Sequence, residues 1–577
     1  MRPSSFFTTI LLLIFSTSFA FAGHGPAGAP PAEIPAGHVA INISGIITDS
    51  HSEPVNEAEI SVFIDRALVF SDTTAHGGKY LARFACPEEA LPDTTFSVIV
   101  RKASFATQTF QITADQFAHR EGNCFITEDI VLPRHLGPAF WIATITFVMA
   151  YILISFELLH RTVAAMLGAA LMLVISYTIG TINPEFRILS YEAAIGAIDM
   201  NVIFLLMGMM IIIGILKHTG VFQWCAYLSY KLARGNVFVL AVYLMIFTAV
   251  SSAFLDNVTT MLLLTGVAIE ISLSLAINPL TLLVPLVLAS NVGGTATLIG
   301  DPPNIMIGSY AGLTFTQFVV ALALICVVSM VALVLYTKLV WGREYKGAKI
   351  DNVEAYTREL RERYKITDAT LLTYGLAILA FVVFLFLSHG FWHMEVSVAA
   401  LIGASVFLTI ALVTGKVNLL ELIEKDIEWP TLMFFIFLFM LVGAVESSGL
   451  LALIADWILE LSAGNFFVAC SLIIWVAAIM SAFVDNIPFT ATMLPIVAYL
   501  STVIPGAENT LWWALALGAC FGGNGTMIGA SANVVTVGIA ESRGYKISFL
   551  HFMKLAFPFM IISVVIAHAW LFIFRPV

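Results

Sequence analysis

The sequence predicts an all-α polytopic membrane protein, built as two inverted repeats with re-entrant hairpins, behind an N-terminal all-β sandwich. Three observations predict it: an apolar composition, a lopsided placement of the few basic residues, and an internal duplication. Of 577 residues, 59% are hydrophobic and 11% charged, against about 25% charged in an ordinary soluble domain. Apolar runs long enough for the ~20 residues of a span recur from Phe140 onwards. A soluble chain of this composition would lack the polar surface to stay in water, so the lipid bilayer is its expected surrounding. Most of the acidic excess behind the net charge of −11 lies in the first 135 residues and in loops. No basic patch is large enough to track a phosphate backbone, which argues against nucleic acid as a partner.

Residues 1–22 read as a secretory signal. Arg2 gives a short positive start, Ile10 to Phe15 an apolar centre, and Ala20-Phe21-Ala22 a small-x-small cleavage pattern. A first transmembrane helix that stays attached is the alternative, and either one exports the domain next to it. Residues 38–135 then alternate short β-rich runs (Val39 to Ile47, Glu59 to Ile64, Thr95 to Val100, Phe125 to Val131) with turn clusters, which argues for a β-sandwich. The runs Gly45-Ile46-Ile47-Thr48-Asp49, Pro54-Val55-Asn56-Glu57-Ala58 and His76-Gly77-Gly78-Lys79-Tyr80 resemble the transthyretin-like, carboxypeptidase-regulatory-like sandwiches. In an oxidising compartment the pair in this domain, Cys86 and Cys124, is expected to close a disulfide. Cys225, Cys326, Cys470 and Cys520 lie in apolar segments and read as packing residues.

Lys and Arg favour the cytoplasmic side of a membrane. With the sandwich outside, spans over about Phe140 to Leu158, Thr162 to Ile179 and Val202 to Leu216 place His160, Arg161, Lys217, Lys231 and Arg234 inside. Arg343, Lys346, Lys349, Arg358, Arg361, Arg363 and Lys365 mark a hydrophilic connector over 343–368, which separates repeat 1 (138–342) from repeat 2 (369–577). Lys416, Lys425, Arg543 and Lys546 fall on the same side, and only Arg187 and Arg575 are forced outside. The count closes if Val237 to Ala276 is a hairpin entering and leaving on the cytoplasmic side. Backbone at that depth must face protein or a water-filled cavity, so its tip should line one. The expected location is a bacterial-type inner membrane with the sandwich in the periplasm.

A shift of 229 residues aligns the two halves without a gap over more than a hundred positions. Asp199 falls on Glu428, Gly220 on Gly449, and Ser252-Ala253-Phe254 with Asp256-Asn257 on Ser481-Ala482-Phe483 with Asp485-Asn486. Gly293-Gly294, Thr297, Ile299-Gly300 and Asn304 fall on Gly522-Gly523, Thr526, Ile528-Gly529 and Asn533. Inverted repeats whose broken helices meet near the midplane are the architecture of secondary transporters. Each repeat carries a hairpin tip (Asp256, Asn257, Thr259; Asp485, Asn486) and a glycine-broken span (Asn291, Thr297, Asp301, Asn304; Asn524, Thr526, Asn533). An intramembrane Asp is functional by default unless a partner is evident, and no Lys or Arg lies in the neighbouring apolar spans. Close helix packing is the plainer account of the glycines. Asp199 and Glu428 read as N-terminal helix charges, and Glu270 as a solvated or paired residue. His218, His389 and His393 have no metal-ligand companion.

From Phe140 to Val577 the chain resembles the ArsB/NhaD permeases of the ion transporter superfamily, with its citrate-transporter-like and dicarboxylate/sodium symporter relatives. Ile211 to Phe222, Ser252 to Thr260 and Ala289 to Thr297 carry that resemblance, and Gly300-Asp301-Pro302-Pro303-Asn304 looks most like the P-protein-like branch. The resemblance implies that Asp256, Asn257, Asn291, Asp301, Asp485 and Asn486 bind ions or substrate. The symporter relatives carry Ser-Asn-Thr where this chain has Asp-Asn-Val and Asp-Asn-Ile, a departure that argues against plain dicarboxylate transport. Two aspartates at a symmetric site, with Asp301 as a third, favour a cation or proton over a free polyanion. Na+/H+ antiport is therefore the leading expectation, with Na+ or H+ as the transported or coupling ion and no cofactor. Ion-coupled transport of a small anion (citrate, dicarboxylate or arsenite type) is the alternative. A channel or an intramembrane aspartyl protease is more remote. A homodimer is left open, as is the partner of the sandwich.

Overall fold

The computed structural model describes residues 38–574 apart from 50–53, 56–57, 65–66, 76, 103–104, 121–122, 348–352 and 508. The expected signal segment and Arg575 lie outside the described residues. The chain divides into two compact units, Met1–His135 and Leu136–Val577.

The first unit is a two-sheet sandwich. β1 (His38–Asp49), β4 (Lys79–Pro87), β7 (Ala118–Arg120) and β8 (Asn123–Thr127) form one sheet in the order β4-β1-β8-β7, with β9 (Ile130–Leu132) continuing beside β1. β2 (Glu59–Ile64), β3 (Ala67–Thr73), β5 (Thr95–Arg101) and β6 (Gln108–Thr113) form the other, in the order β3-β2-β5-β6. Alternation explains the core: Phe96, Val98 and Val100 of β5 are wholly buried, as are Ile41 and Ile43 of β1 and Val62 of β2. The run expected as one strand over Phe125 to Val131 is two. At Gly45 of β1 a Cβ would lie 2.0 Å from the Glu128 carbonyl oxygen. That close approach breaks the ladder, and Asp129 accepts from the Ile46 N–H (2.9 Å) there instead.

The expected disulfide is not formed. Cys86 and Cys124 are both buried and are not bonded to each other. Cys86 lies opposite Val39 and Cys124 opposite Ile41, on the two strands flanking β1. Neighbouring strands are ~4.8 Å apart, so the two Cα atoms are separated by about two such spacings, beyond the ~7 Å a disulfide spans.

The second unit is helical, and twelve of its described helices are long and apolar enough to cross a membrane. Repeat 1 includes α1 (Pro138–Ser155), α2 (Arg161–Tyr177), α3 (Met200–Lys217), α4 (Val237–Phe254), α5 (Asn257–Ser274), α6 (Leu280–Gly294), α7 (Pro302–Ala311) and α8 (Phe315–Gly347), besides further helices. Repeat 2 includes α9 (Ala369–Trp392), α10 (Val396–Val413), α11 (Trp429–Ser447), α12 (Phe466–Phe483), α13 (Asn486–Val503), α14 (Thr510–Gly522), α15 (Ser531–Ser542) and α16 (Phe549–Phe574), besides further helices. The connector contributes a further charged helix, Val353–Arg363, and Glu270 is paired with Arg363 across 3.4 Å.

Packing exchanges elements between the repeats in matched pairs. α3 packs on α10 as α11 packs on α2, and α5 packs on α15 as α13 packs on α7. Within each repeat the broken span lies along the first hairpin arm, α6 on α4 and α14 on α12. Glycine permits that approach: a Cβ on Gly293 would meet the Ala249 carbonyl oxygen at 2.2 Å, and one on Gly522 the matched Ala478 oxygen at 2.5 Å. For these two glycines the plain packing account is the right one.

Candidate ion site at the paired hairpin tips

Each hairpin turns on one extended residue and one capping aspartate. α4 ends at Phe254, Leu255 is extended and Asp256 caps α5. In repeat 2, α12 ends at Phe483, Val484 is extended and Asp485 caps α13. The broken spans add the N-termini of α7, after Asp301, and α15, after Ala530. The exchange of α5, α7, α13 and α15 between repeats gathers four helix N-termini, each the positive end of a helix dipole.

Four of the expected site residues hold this frame in shape. Asn304 Nδ2 donates to the carbonyls of Thr295 (3.0 Å) and Thr297 (2.9 Å). Asn533 Nδ2 does the same for Gly523 (2.7 Å) and Thr526 (2.8 Å). The Thr297 hydroxyl donates to the Ala253 carbonyl and the Thr526 hydroxyl to the matched Ala482 carbonyl, tying each broken span to its own hairpin. Unwound carbonyls buried without such donors would be costly.

A chain of asparagines crosses between the repeats. Asn257 Nδ2 donates to Asn291 Oδ1 (3.3 Å), and Asn291 Nδ2 donates to Asn524 Oδ1 and Asn533 Oδ1, both at 3.0 Å. Asn533 gives its own N–H groups to two carbonyls, so its oxygen must face Asn291, and this sets the sense of the whole chain. Asn524 Nδ2 is buried with no acceptor among the described residues. The asparagines pack against one another, Asn291, Asn524 and Asn533 with no exposure. Asp256, Thr259 and Asp485 are half-buried and keep the only partial access among the expected residues.

The acidic groups are not treated alike. Asp256 Oδ1 accepts from the Thr259 N–H (2.9 Å) and Oδ2 from the Thr259 hydroxyl (2.6 Å). In the second repeat the position of Thr259 is Pro488, which offers neither donor. Asp485 Oδ1 accepts from the Ile487 N–H (3.1 Å) instead, and Oδ2 turns to Arg161 Nη1 (3.1 Å) and the Ser531 hydroxyl (3.0 Å). Arg161 Nη1 also donates to Ser531 Oγ and Nη2 to Thr431 Oγ1 (3.2 Å), with the guanidinium 5.2 Å from the Phe434 ring centroid. The expectation that no basic residue partners the tips is thus corrected for Asp485. Wholly buried Asp301 accepts from Asn486 Nδ2, at 3.3 and 3.5 Å, is also hydrogen-bonded by the Cys520 thiol, and lies within electrostatic reach of Asp256 and Asp485.

Glu428 is a second correction. Asp199 does cap α3, accepting from the N–H groups of Asn201 (3.0 Å) and Val202 (3.2 Å). Glu428 caps nothing; it accepts from the Thr431 hydroxyl (3.1 Å) and lies within electrostatic reach of Asp256 and Arg161. Arg161, Thr431, Ser531 and Glu428 were the residues that sequence reasoning missed. Arg161 is the lone Lys or Arg between Arg134 and Arg187 and reads as a marker of the cytoplasmic face, while its repeat partner is Gly390. His218 pairs with Asp426 (3.1 Å), and no cluster of three metal-ligating side chains occurs among the described residues.

Residues 151–518 match the citrate transporter (CitMHS) family. An uncharacterized transporter of Mycobacterium tuberculosis is 39% identical over 435 residues, covering 75% of this chain and 98% of the relative. The human P protein is 34% identical over 508 residues, covering 75% of this chain and 59% of the P protein. The crystal structure of the Alcanivorax borkumensis YdaH transporter aligns with a TM-score of 0.48 at 15% identity, over 71% of this chain and 97% of that one. By the extent of the family match and the identity to these relatives, the chain belongs to the citrate transporter family and is a membrane transporter, not an enzyme.

Proposed function

We propose that the chain is a secondary active transporter that exchanges Na+ for H+, with the ions held at the Asp-Asn hairpin tips. One observation carries the reading: Asp301 lies within electrostatic reach of Asp256 and Asp485, and Glu428 within reach of Asp256, while the one guanidinium beside these four carboxyl groups, Arg161, is paired with Asp485 and within reach of Glu428. Carboxylates withdrawn from water without a matching positive charge are costly. The site is therefore comfortable only with protons or small cations bound, and a competition between the two is an exchanger. The test is Na+, H+, dicarboxylate and arsenite flux in proteoliposomes, measured side by side. An imposed Na+ gradient should drive H+ in the opposite direction; no proton movement under that gradient rules the reading out.

A second reading, ion-coupled transport of a carboxylate anion such as citrate, is favoured by Asn524 Nδ2, a buried donor with no acceptor among the described residues, in the broken span of the second repeat. Citrate uptake that needs Na+ and is lost in Asn524→Leu would select it. Either way, the arrangement of basic residues supports a periplasmic sandwich, which protease added to intact spheroplasts should remove.

A further inference from the structure

The duplication made two tips with the same Asp-Asn pair, yet only one of them meets a basic side chain. Around the Arg161 guanidinium stand Asp485 Oδ2, Ser531 Oγ and Thr431 Oγ1, three acceptor oxygens from α13, α15 and α11. Oxygen ligands from several elements, one of them charged, are the donor set a small hard cation takes. The first repeat has Pro302 and Val202 where the second has Ser531 and Thr431, and Gly390 stands where a matching arginine would be. No basic side chain appears among the described partners of Asp256.

We infer that Arg161 is a built-in counter-cation occupying the second of the two cation positions that the duplication created. The chain then holds one exchangeable cation, at the Asp256 tip. Arginine is suited to the part because its guanidinium stays charged at any working pH and cannot leave. Its partial burial, 22% exposed against 12% for Asp485, shields the pair from competing ions. The inference rests on the cation reading of the site given above.

The test counts sodium. Full-length protein in lipid nanodiscs is titrated with radioactive Na+ at equilibrium, and the bound ions per chain are read at saturation. Wild type should bind one, and Arg161→Gln, which uncovers the Asp485 carboxylate, should bind two. Removing that carboxylate as well, in Arg161→Gln/Asp485→Asn, should return the count to one. Where Arg161→Gln fails to fold, Arg161→His serves: its imidazole should block the second ion at low pH and admit it when neutral above about pH 8. Two ions in wild type, or no gain in whichever variant folds, overturns the inference. Failure of the cation reading shows separately, as no saturable Na+ difference between wild type and Asp256→Asn; a gain of one ion on removing Arg161 would still support the counter-cation.

Discussion

Replacing Asp256 with Asn isolates charge from architecture. Asparagine ranks with aspartate as an N-cap, so its Oδ1 can keep the Thr259 N–H now held at 2.9 Å. The Thr259 hydroxyl, which donates to Oδ2 at 2.6 Å, need only rotate to accept from the new amide. What disappears is one negative charge. A unit cation ~4 Å from that carboxylate, at an effective dielectric constant of about 20, is held by about 4 kcal/mol. At about 1.4 kcal/mol per decade this is roughly a thousandfold in affinity. Asp256→Asn should therefore lose Na+ binding by about that factor and stop coupled exchange, while inserting normally and melting within a few degrees of wild type. The assay is pH-dependent Na+ flux in vesicles at matched expression, beside equilibrium Na+ binding. Undiminished, normally pH-dependent flux would refute the assignment even with the fold intact.

Three further outcomes rest on particular contacts. Asp301→Asn preserves an acceptor for Asn486 Nδ2 (3.3 Å) while removing a charge that acts on both tips; flux should persist with a displaced pH profile, and an unaltered profile would remove Asp301 from the coupling. Gly293→Ala would put a Cβ 2.2 Å from the Ala249 oxygen; forcing α6 from α4 should cost about 1–3 kcal/mol, read as a lowered thermal transition, and an unchanged one would contradict the close approach. In the sandwich, burial pushes the Cys86 and Cys124 thiols up from their ordinary range, leaving little thiolate at neutral pH. Both should resist alkylation in the native protein and react fully once unfolded without reductant, as peptide mass mapping would show; a need for reductant would mean they are bonded.

The frame was legible in the sequence because duplication repeats its instructions. Asn304 and Asn533, Thr297 and Thr526, and the glycines at 293 and 522 recur at one spacing, and each pair makes the same contact in its own repeat. What stayed hidden is what the repeat does not share. Arg161 reaches Asp485 across 324 positions of sequence, from the start of a helix whose counterpart begins with no basic residue. Neither periodicity nor alignment of the halves can announce such a contact. The two sandwich cysteines failed for a related reason: the compartment expected for them argued for a bond, but their partners in the ladder, Val39 and Ile41, put a whole strand between them.

The asymmetry begins at one position. Thr259 supplies an N–H and a hydroxyl to Asp256, so both carboxylate oxygens are engaged by their own helix. Pro488 supplies neither, and the second oxygen of Asp485 is left free to recruit Ser531 and Arg161. A symmetric pair of acids would bind two like cations with similar strength, and a symmetric pair of neutral tips would bind none. With one tip capped locally and the other matched by a fixed guanidinium, Asp256 and Asp301 are left with no basic partner among the described residues. The half-buried tip of Asp256 then combines excess charge with access, whereas Asp301 has the charge but no exposure. On the proposed cation reading, exchange of an ion with the outside would be routed to the first hairpin, with Asp301 setting the field in which it occurs.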